Sequence, residues 1–493
     1  MRGTLALTGT LAGLAPVARA APPTHSLRPL RRPVAISTRA APGAGPLISA
    51  ARLGGEVSFA VVDARSGEVL EGYAPRTAQP PASVTKAVTA LYALDAMGGD
   101  HRFVTRLIAT GPVKDGVLEG DLVLAGGGDP SLDTDALAEL AAELKATGLR
   151  EVTGRFRVWD GALPYTRAIA DDQPEHAGYN PAVSGLALNF NRVHFGWKRA
   201  GNGWSVSMDA RSARYRPAVR VARMRVENRA GPVYGYDDAG SHDQWTVAAG
   251  ALGSGGARWL PVRKPARYAG EVFAGFARAH GIVLNVPGRM ERPPRGTALA
   301  RHESPPLVDM LREMLKYSNN LMAEMVGMSA TAARAGRAPA SLRASARAMS
   351  EWAADRLDMD DARLVDHSGL GVDSRLSALG MARALAAARR HDALKPILKQ
   401  VKLRDVRGRK LSSHPLKVRA KTGTLFFVSA LAGYVTAPGG RELAFAIFTA
   451  DTERRAALDT RRLGRPRGAR SWNVRAKILQ SRLIERWGDL FAG

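Results

Sequence analysis

The pattern of apolar and polar residues near the start of the chain predicts a strand hairpin followed by a helix. Apolar residues fill most of 56–75 on both sides of the turn-rich segment 63–67, which is typical of two short strands joined by a turn. Two prolines at 80–81 end the extended chain. From Ser83 to Met97 the apolar residues recur at helical spacing, so the pattern predicts a helix that begins at Ser83.

Helical periodicity returns in the last two fifths of the chain. It is present at 306–315, breaks at the polar segment 316–320 and resumes at 321–333, which predicts two helices that flank a polar break. Further patterns predict helices at 341–357, 377–391 and 472–487 and strands at 416–425, 429–437 and 443–450. The outline is therefore a hairpin and a helix, then helices, three strands and a final helix after a long interval.

The long interval, residues 104–299, has a different character. It contains short strand-like segments, many glycines and prolines, and turn residues at close intervals. This composition predicts a β-rich region inserted between the first helix and the later helices. We expect it to comprise two nested domains.

The first residues of the chain indicate export. Residues 1–20 contain one arginine, an apolar stretch at 4–14 and the sequence Ala-Arg-Ala at 18–20, which is the pattern of a cleaved signal peptide. Residues 21–45 are rich in Pro, Ala and Arg and are predicted to form a flexible leader. The apolar stretch is shorter than a membrane span requires, so we expect an exported, periplasmic protein, with an uncleaved anchor as the alternative.

The composition limits the chemistry that is available. The chain has no cysteine, which excludes disulfides, thiolate metal sites and cysteine nucleophiles. Its formal net charge is +26, but no basic segment alternates with aromatic residues as nucleic-acid platforms do, so no nucleic-acid partner is predicted. The charge reflects either solvated surfaces or peripheral contact with membrane lipids or anionic envelope polymers, most favourably through 454–475.

The tetrad at 83–86, Ser-Val-Thr-Lys, is a candidate nucleophile motif. Residues three apart on a helix share a face, so the Lys86 amine can reach the Ser83 hydroxyl and accept its proton once burial lowers the lysine pKa. The helix start also supplies free backbone N–H groups for developing negative charge. Alone, the motif is weak evidence, because serine at a helix start is usually an N-cap.

Two further polar segments are candidates for a functional site. Lys421, Thr422, Gly423 and Thr424 lie on a predicted buried strand, where a lysine needs an anionic partner. Gly423 would let a substrate backbone approach closely, while Lys421 holds a carboxylate and the two threonines donate hydrogen bonds. The segment 318–320, Ser-Asn-Asn, lies in the break between two helices, where a helix cap is the simpler interpretation.

The three motifs together resemble the signature of penicillin-recognising serine enzymes, which combine S-x-x-K, S-x-N and K-T-G in this order. The long interval between the first two motifs is similar to that of the low-molecular-mass class C penicillin-binding proteins. Segments at 120–132, 179–191 and 364–370 also resemble this family of serine-type D-Ala-D-Ala carboxypeptidases and endopeptidases. His367 is a departure, since many relatives carry a small or polar residue there, and it leaves the three motifs intact.

The resemblance implies an α/β (α+β) fold. Its core would be a penicillin-binding/β-lactamase-like transpeptidase domain, an antiparallel sheet flanked by helices, formed by 46–103 and 300–493. The β-rich domains at 104–299 would be inserted between the first and second catalytic motifs.

The resemblance also implies roles for the motif residues. Ser83 would attack the carbonyl of the penultimate D-Ala with Lys86 as general base. Ser318 would relay a proton to the leaving amine, and Asn320 would orient Lys86 and the substrate amide. The implied substrates are peptidoglycan stem peptides, with β-lactam antibiotics as covalent inhibitors.

The third motif would bind the end of the substrate. Lys421, Thr422 and Thr424 would hold its terminal carboxylate, and the backbone N–H groups of Ser83 and Thr424 would form an oxyanion hole. No metal or other cofactor is predicted, because the histidines and carboxylates show no ligand spacing. A β-lactamase or esterase with the same residues, or a catalytically silent wall-binding protein, remain the alternative functions.

Overall fold

The computed structural model describes residues 43–460 and 466–491. The predicted signal at 1–20 and nearly all of the predicted leader at 21–45 lie outside the described residues. The first helix begins at Ala44, inside the range predicted for the leader.

Helices and strands alternate in blocks along the chain. The helices are α1 (Ala44–Ala51), α2 (Thr85–Met97), α3 (Thr134–Ala146), α4 (Pro265–Ala279), α5 (Leu307–Tyr317), α6 (Asn320–Ala335), α7 (Leu342–Leu357), α8 (Ala378–Arg389), α9 (Thr452–Ala456) and α10 (Ala469–Phe491). The strands before the later helices are β1 (Glu56–Asp63), β2 (Val69–Tyr73), β3 (Val104–Ala109), β4 (Val113–Lys114), β5 (Val117–Leu118), β6 (Leu122–Ala125), β7 (Glu151–Val152), β8 (Phe156–Trp159), β9 (Arg192–Ala200), β10 (Gly203–Asp209), β11 (Ala222–Glu227), β12 (Tyr234–Asp238), β13 (Asp243–Ala248), β14 (Gly255–Pro261), β15 (Gly288–Arg289) and β16 (Thr297–Glu303). Three strands follow them, β17 (Lys417–Leu425), β18 (Val428–Thr436) and β19 (Glu442–Ala450).

The central sheet joins the two ends of the described chain. Its five strands have the order β17-β18-β19-β1-β2, and every neighbouring pair is antiparallel. In β1 the register sets Glu56 opposite Ala450 and Asp63 opposite Leu443. The hairpin near residue 60 therefore completes a sheet whose other strands lie near the C-terminus.

Helices cover both faces of this sheet. Because side chains alternate along a strand, Ala60 and Val62 of β1 pack with α2, α5, α6, α7 and α8, whereas Phe59 and Val61 pack with α10 on the opposite face. Burial on two faces explains why β18 and β19 are almost continuously apolar. The predicted antiparallel sheet flanked by helices is confirmed.

The long inserted region starts and ends at one place. Its first strand, β3, pairs antiparallel with its last, β16, so that Val104 lies opposite Glu303. Just outside the pair, the backbone N–H of Ser304 donates to the Phe103 carbonyl over 2.9 Å, and the Phe103 N–H donates to the Ser304 hydroxyl over 2.9 Å. The region can therefore leave and rejoin the rest of the chain with little disturbance of either part.

The inserted region contains two helices that the sequence interpretation did not include. Asp133 caps α3 by accepting a hydrogen bond from the Ala136 N–H, and α4 begins with Pro265, which suits the first turn of a helix. One apolar cluster runs from Leu107 to Ala300 and includes residues from both helices. The division into two nested domains stays a prediction.

Most predicted elements outside this region agree with the structure to within a few residues. The predicted break between helices falls between α5 and α6, and the three predicted C-terminal strands are β17, β18 and β19. Within the described part of the chain, no helix is both long enough and apolar enough to cross a bilayer.

Candidate active site

Ser83 lies in a short 3-10 turn, Ala82–Val84, that leads directly into α2. Lys86 is one turn further on, and its Nζ lies 3.1 Å from the Ser83 Oγ. Ala82 has a φ of 45°, in the left-handed region where residues other than glycine are strained. The strained turn presents the serine hydroxyl beside the lysine amine, as the tetrad at 83–86 predicts.

Lys86 is completely buried, with 0% of its surface exposed. Besides Ser83, its Nζ donates to the Asn320 Oδ1 over 2.7 Å and to the Ser368 carbonyl over 2.8 Å. Three acceptors match the three protons of an ammonium group and hold the side chain in one position. Burial lowers the pKa of Lys86 to about 8, although the carboxyl groups of Glu324 and Asp366 oppose the shift.

The segment 318–320 contains residues at helix ends and residues that line the candidate active site. Asn319 is the residue that caps α6, since its side chain accepts from the Met322 N–H over 3.1 Å. Ser318 closes α5 with a φ of 59°, in the left-handed region. Ser318 and Asn319 thus occupy helix-cap positions, and Ser318 and Asn320 also line the cavity that Ser83 lines.

Asn320 links three parts of the chain. Its Oδ1 accepts from Lys86, and its Nδ2 donates to the Tyr179 carbonyl over 2.9 Å. Tyr179 belongs to the inserted region, so that region contributes a main-chain contact to the motif residues. The amide of Asn320 has both of its ends occupied by protein groups.

Lys421 is the second fully buried lysine of the site, with 0% exposure. Its Nζ lies 2.9 Å from the Ser318 Oγ and 2.7 Å from the Thr422 carbonyl, both of which are neutral oxygens. Burial lowers its pKa well below the ordinary value, and the nearby charges of Lys86 and Lys399 lower it further. An anionic ligand would reverse this effect, because a negative charge favours the protonated amine.

The threonines of the third motif lie beside different cavities. Thr424 is exposed and lines the same cavity of about 730 Å³ as Ser83, Ser318 and Asn320. Thr422 is half-buried and lines a neighbouring cavity of about 480 Å³. Lys421 reaches the larger cavity's edge through its bond to Ser318.

Gly423 lies against the turn that carries Ser83. A Cβ added there would lie 2.7 Å from the Pro81 carbonyl oxygen and 3.0 Å from the Ser83 backbone nitrogen. The close approach that the glycine permits on its Cα side is made by the turn that carries Ser83, and the approach of a substrate backbone to this strand stays a prediction. The glycine lets β17 lie directly against the turn that carries Ser83.

The sequence motifs did not identify Asp366, which holds the turn that contacts Lys86. The carboxylate of Asp366 accepts from the backbone N–H groups of Gly369 and Gly371 over 2.6 and 2.5 Å, and this turn places the Ser368 carbonyl at Lys86. Asp366 lies within the segment 364–370, which was recognised, but without a role for the aspartate. The available sequence signal is that Asp366 is followed two and three residues later by Ser368 and Gly369, a pattern typical of a turn.

Glu324 is the other residue that was missed. It is fully buried on α6, four residues after Asn320 and so on the same helix face. One carboxylate oxygen accepts from the His367 N–H over 2.8 Å, and burial raises the pKa of Glu324 because the charged form is poorly solvated. A lone carboxylate within an apolar helix segment was the available signal.

The departure at His367 is accommodated by the helix opposite it. The ring is buried and shares a 2.8 Å hydrogen bond with the Ser345 hydroxyl, and burial lowers its pKa to about 3. A Cβ added at Gly327 would lie 2.2 Å from the ring. The large side chain at 367 therefore depends on the absence of a side chain at 327.

The fold is similar to that of a penicillin-binding protein. A solved structure of penicillin binding protein 4 (DacB) from Haemophilus influenzae matches with a TM-score of 0.72 at 22% identity, over 90% of this chain and 99% of that chain. The predicted fold class is therefore confirmed.

The chain belongs to the D-Ala-D-Ala carboxypeptidase 3 (S13) family of serine peptidases, whose family model matches residues 47–465. A D-alanyl-D-alanine carboxypeptidase of Actinomadura sp. is 30% identical over 78% of this chain and 76% of the relative. The D-alanyl-D-alanine carboxypeptidase DacB of Haemophilus influenzae is 26% identical over 80% of this chain and 85% of the relative. The family resemblance inferred from the three motifs is confirmed.

Proposed function

We propose that this protein hydrolyses D-Ala-D-Ala-type bonds of peptidoglycan stem peptides through an acyl-enzyme on Ser83. The observation that carries the proposal is the buried Lys86 amine 3.1 Å from the Ser83 hydroxyl, beside the cavity that residues of all three motifs line. A lysine with a pKa lowered to about 8 holds a sizeable neutral fraction near neutral pH, which a general base requires.

In the acylation step, the Ser83 oxygen bonds to the carbonyl carbon of the penultimate D-Ala and Lys86 takes the hydroxyl proton. The resulting oxyanion is bound by the backbone N–H groups of Ser83 and Thr424, each worth about 3 kcal/mol. The carbon–nitrogen bond then breaks, and the leaving amine receives a proton through Ser318. Water attacks the ester, and its proton returns through Lys86 as Ser83 is released.

Asn320 and Lys421 hold the reacting groups in position. Asn320 keeps Lys86 oriented through the 2.7 Å hydrogen bond. Lys421 and Thr424 bind the terminal carboxylate of the substrate at the cavity that contains Ser83, whereas Thr422 lines the neighbouring cavity. The bond from Lys421 to the Ser318 Oγ over 2.9 Å supports this role, because it connects the carboxylate site with the proton relay.

Mass spectrometry of purified wall fragments tests the activity. The mature protein and Ser83→Ala would each be incubated with a pentapeptide monomer and with a D-Ala-linked dimer. Loss of one alanine from the monomer defines a carboxypeptidase, and splitting of the dimer defines an endopeptidase. No Ser83-dependent change in either would favour a silent wall-binding protein.

A β-lactam distinguishes the remaining alternative. Penicillin should add its mass to the intact protein and not to Ser83→Ala, and the adduct should persist. Rapid release of hydrolysed penicillin would identify a β-lactamase instead.

The protein is further proposed to be exported to the periplasm and to contact anionic envelope components through its basic surface. The signal-like pattern at 1–20 and the net charge of +26 support this proposal. Within 454–475, Arg455 and Arg475 bond to main-chain carbonyl groups of the protein, whereas Arg467 and Arg470 are exposed. Fractionation of cells with a periplasmic marker tests the location, and co-sedimentation with wall fragments at two salt concentrations tests the contact.

A further inference from the structure

Five cationic residues line the cavity of about 480 Å³ beside the candidate active site, and one of them is Lys402, which is exposed. The other four interact electrostatically with one another, and we call them the basic cluster: Lys399, Arg404, Lys410 and Lys477. Arg404 and Lys477 also line the cavity of about 730 Å³ that contains Ser83. The basic cluster therefore lies where the two cavities meet.

The members of the basic cluster are carried by well-defined elements. Lys399 precedes a segment that pairs with β17, where its carbonyl accepts from the Ala420 N–H over 3.1 Å. Arg404 and Lys410 lie opposite each other in a β-bridge. Lys477 projects from α10, the helix that covers one face of the central sheet. The arrangement is thus built by the sheet, a hairpin and a helix together.

The charges of the basic cluster are not neutralised by the protein. Among residues 43–460 and 466–491, no ion pair joins any of the four to a carboxylate, and Arg404 donates to the neutral Gly408 carbonyl over 2.5 Å. The nearby Asp405 is engaged by Arg409 over 2.7 Å. Lys399 and Lys477 are only partly exposed, so solvent screens their mutual repulsion incompletely.

The electrostatic state of the two half-buried lysines agrees with this arrangement. Burial lowers the pKa of Lys477, and the charges of Arg404, Lys399 and Lys410 lower it further. Burial and the charge of Lys410 likewise lower the pKa of Lys399. Each shift expresses first the cost of burying a charged amine and then the cost of holding like charges together, and a bound anion would offset both.

We propose that the basic cluster binds a phosphate group of a soluble phosphorylated ligand. A guanidinium and three ammonium groups supply more positive charge than a single carboxylate would neutralise, and the planar guanidinium suits the tetrahedral oxygens of phosphate. The position within a cavity favours a ligand that enters the cleft over a flat membrane surface. The site does not require the peptidase activity proposed above, so the two can be tested separately.

Isothermal titration calorimetry with inorganic tripolyphosphate tests the site on the full mature chain. The double variant Arg404→Gln/Lys477→Met should weaken binding at least about tenfold, or about 1.4 kcal/mol. The matched control is Arg343→Gln/Arg347→Gln, which removes two charges from exposed positions on α7. The control should bind within about twofold of the wild type, because it keeps the site and changes only the net charge.

Three results would overturn the proposal. They are the absence of tripolyphosphate binding to the wild type, an equal loss of affinity in both double variants, and binding to phosphatidylglycerol vesicles but not to tripolyphosphate. If Arg404→Gln/Lys477→Met unfolds, Lys399→Met/Lys410→Met replaces it with the same expected loss. A wild type that binds tripolyphosphate but neither releases alanine from the monomer nor splits the dimer would support the site while contradicting the peptidase.

Discussion

The side-chain amide of Asn320 donates a hydrogen bond to the main-chain carbonyl of Tyr179 over 2.9 Å. The same amide accepts from Lys86, so the inserted region is joined through one side chain to the lysine beside Ser83. An amide is the group that suits both contacts, since it offers an acceptor to the lysine and a donor to the carbonyl. This relationship leads directly to the first prediction.

Asn320→Asp should reduce acylation while the fold is retained. The aspartate keeps an oxygen for Lys86, but it opposes the Tyr179 carbonyl with a second oxygen and raises the pKa of Lys86 through its negative charge. We expect acylation by a fluorescent penicillin at pH 7 to fall at least about tenfold, which corresponds to one pKa unit. The control is Asn319→Asp, because aspartate caps a helix as well as asparagine does. Equal rates in the two variants would contradict the prediction.

Acylation should depend on pH through Lys86. The neutral amine is the active form, so the rate should rise with pH and level off above a pKa of about 8. Glu324→Gln removes a charge that raises this pKa, and the midpoint should therefore move to lower pH. Stopped-flow acylation from pH 5 to pH 10 would measure it, with the exposed Glu351→Gln on α7 as the control. A midpoint that is the same in all three proteins would argue against the assignment.

Gly423→Ala should displace the turn that carries Ser83. The added methyl group would meet the Pro81 carbonyl at 2.7 Å and the Ser83 nitrogen at 3.0 Å. Overpacking of this kind costs about 1–3 kcal/mol, and the misplaced serine should also acylate more slowly. Urea denaturation and the acylation rate are the measurements. The control is Gly275→Ala on α4, because the added methyl group would have open space around it. This variant should lower neither the stability nor the acylation rate.

Gly327 and His367 should be coupled in a double-mutant cycle. Gly327→Ala alone would place a methyl group 2.2 Å from the His367 ring and should destabilise the fold by about 1–3 kcal/mol or more. In the His367→Ala background the same change should cost almost nothing, since alanine is the better helix former. Urea denaturation of the four proteins gives the coupling free energy. A cost that is the same in both backgrounds would show that the ring is not the obstacle.

The local features of the fold and site were largely predictable from the sequence. The break between α5 and α6, the helix after Ser83 and the strand that carries Lys421 all follow from short-range periodicity and breakers. The helix α4 was missed because it contains Gly270 and Gly275 within a region already rich in turn residues. The residues of this segment favour both helix and turn locally, and the helix is stabilised by tertiary packing.

The parts of the site that could not be predicted depend on contacts distant in sequence. The function of Gly423 depends on which segment lies against β17, and no local pattern shows that this is the turn before α2. Likewise, Asp366 supports Lys86 only because its turn folds onto a helix from the other end of the catalytic region. Motif order predicts the candidate reacting groups, whereas the groups that hold these side chains in place require the three-dimensional structure.

The pairing of β1 with β19 has a consequence for how the chain acquires its fold. Since Glu56 lies opposite Ala450, one edge of the first hairpin stays without its neighbour until nearly 400 further residues have been synthesised. Contacts so distant in sequence slow folding, and an unpaired apolar strand edge is prone to aggregation during the delay. The inserted region, whose end strands pair with each other, can fold first. We therefore expect a long-lived intermediate in which the inserted region is structured and the nucleophile is not yet assembled.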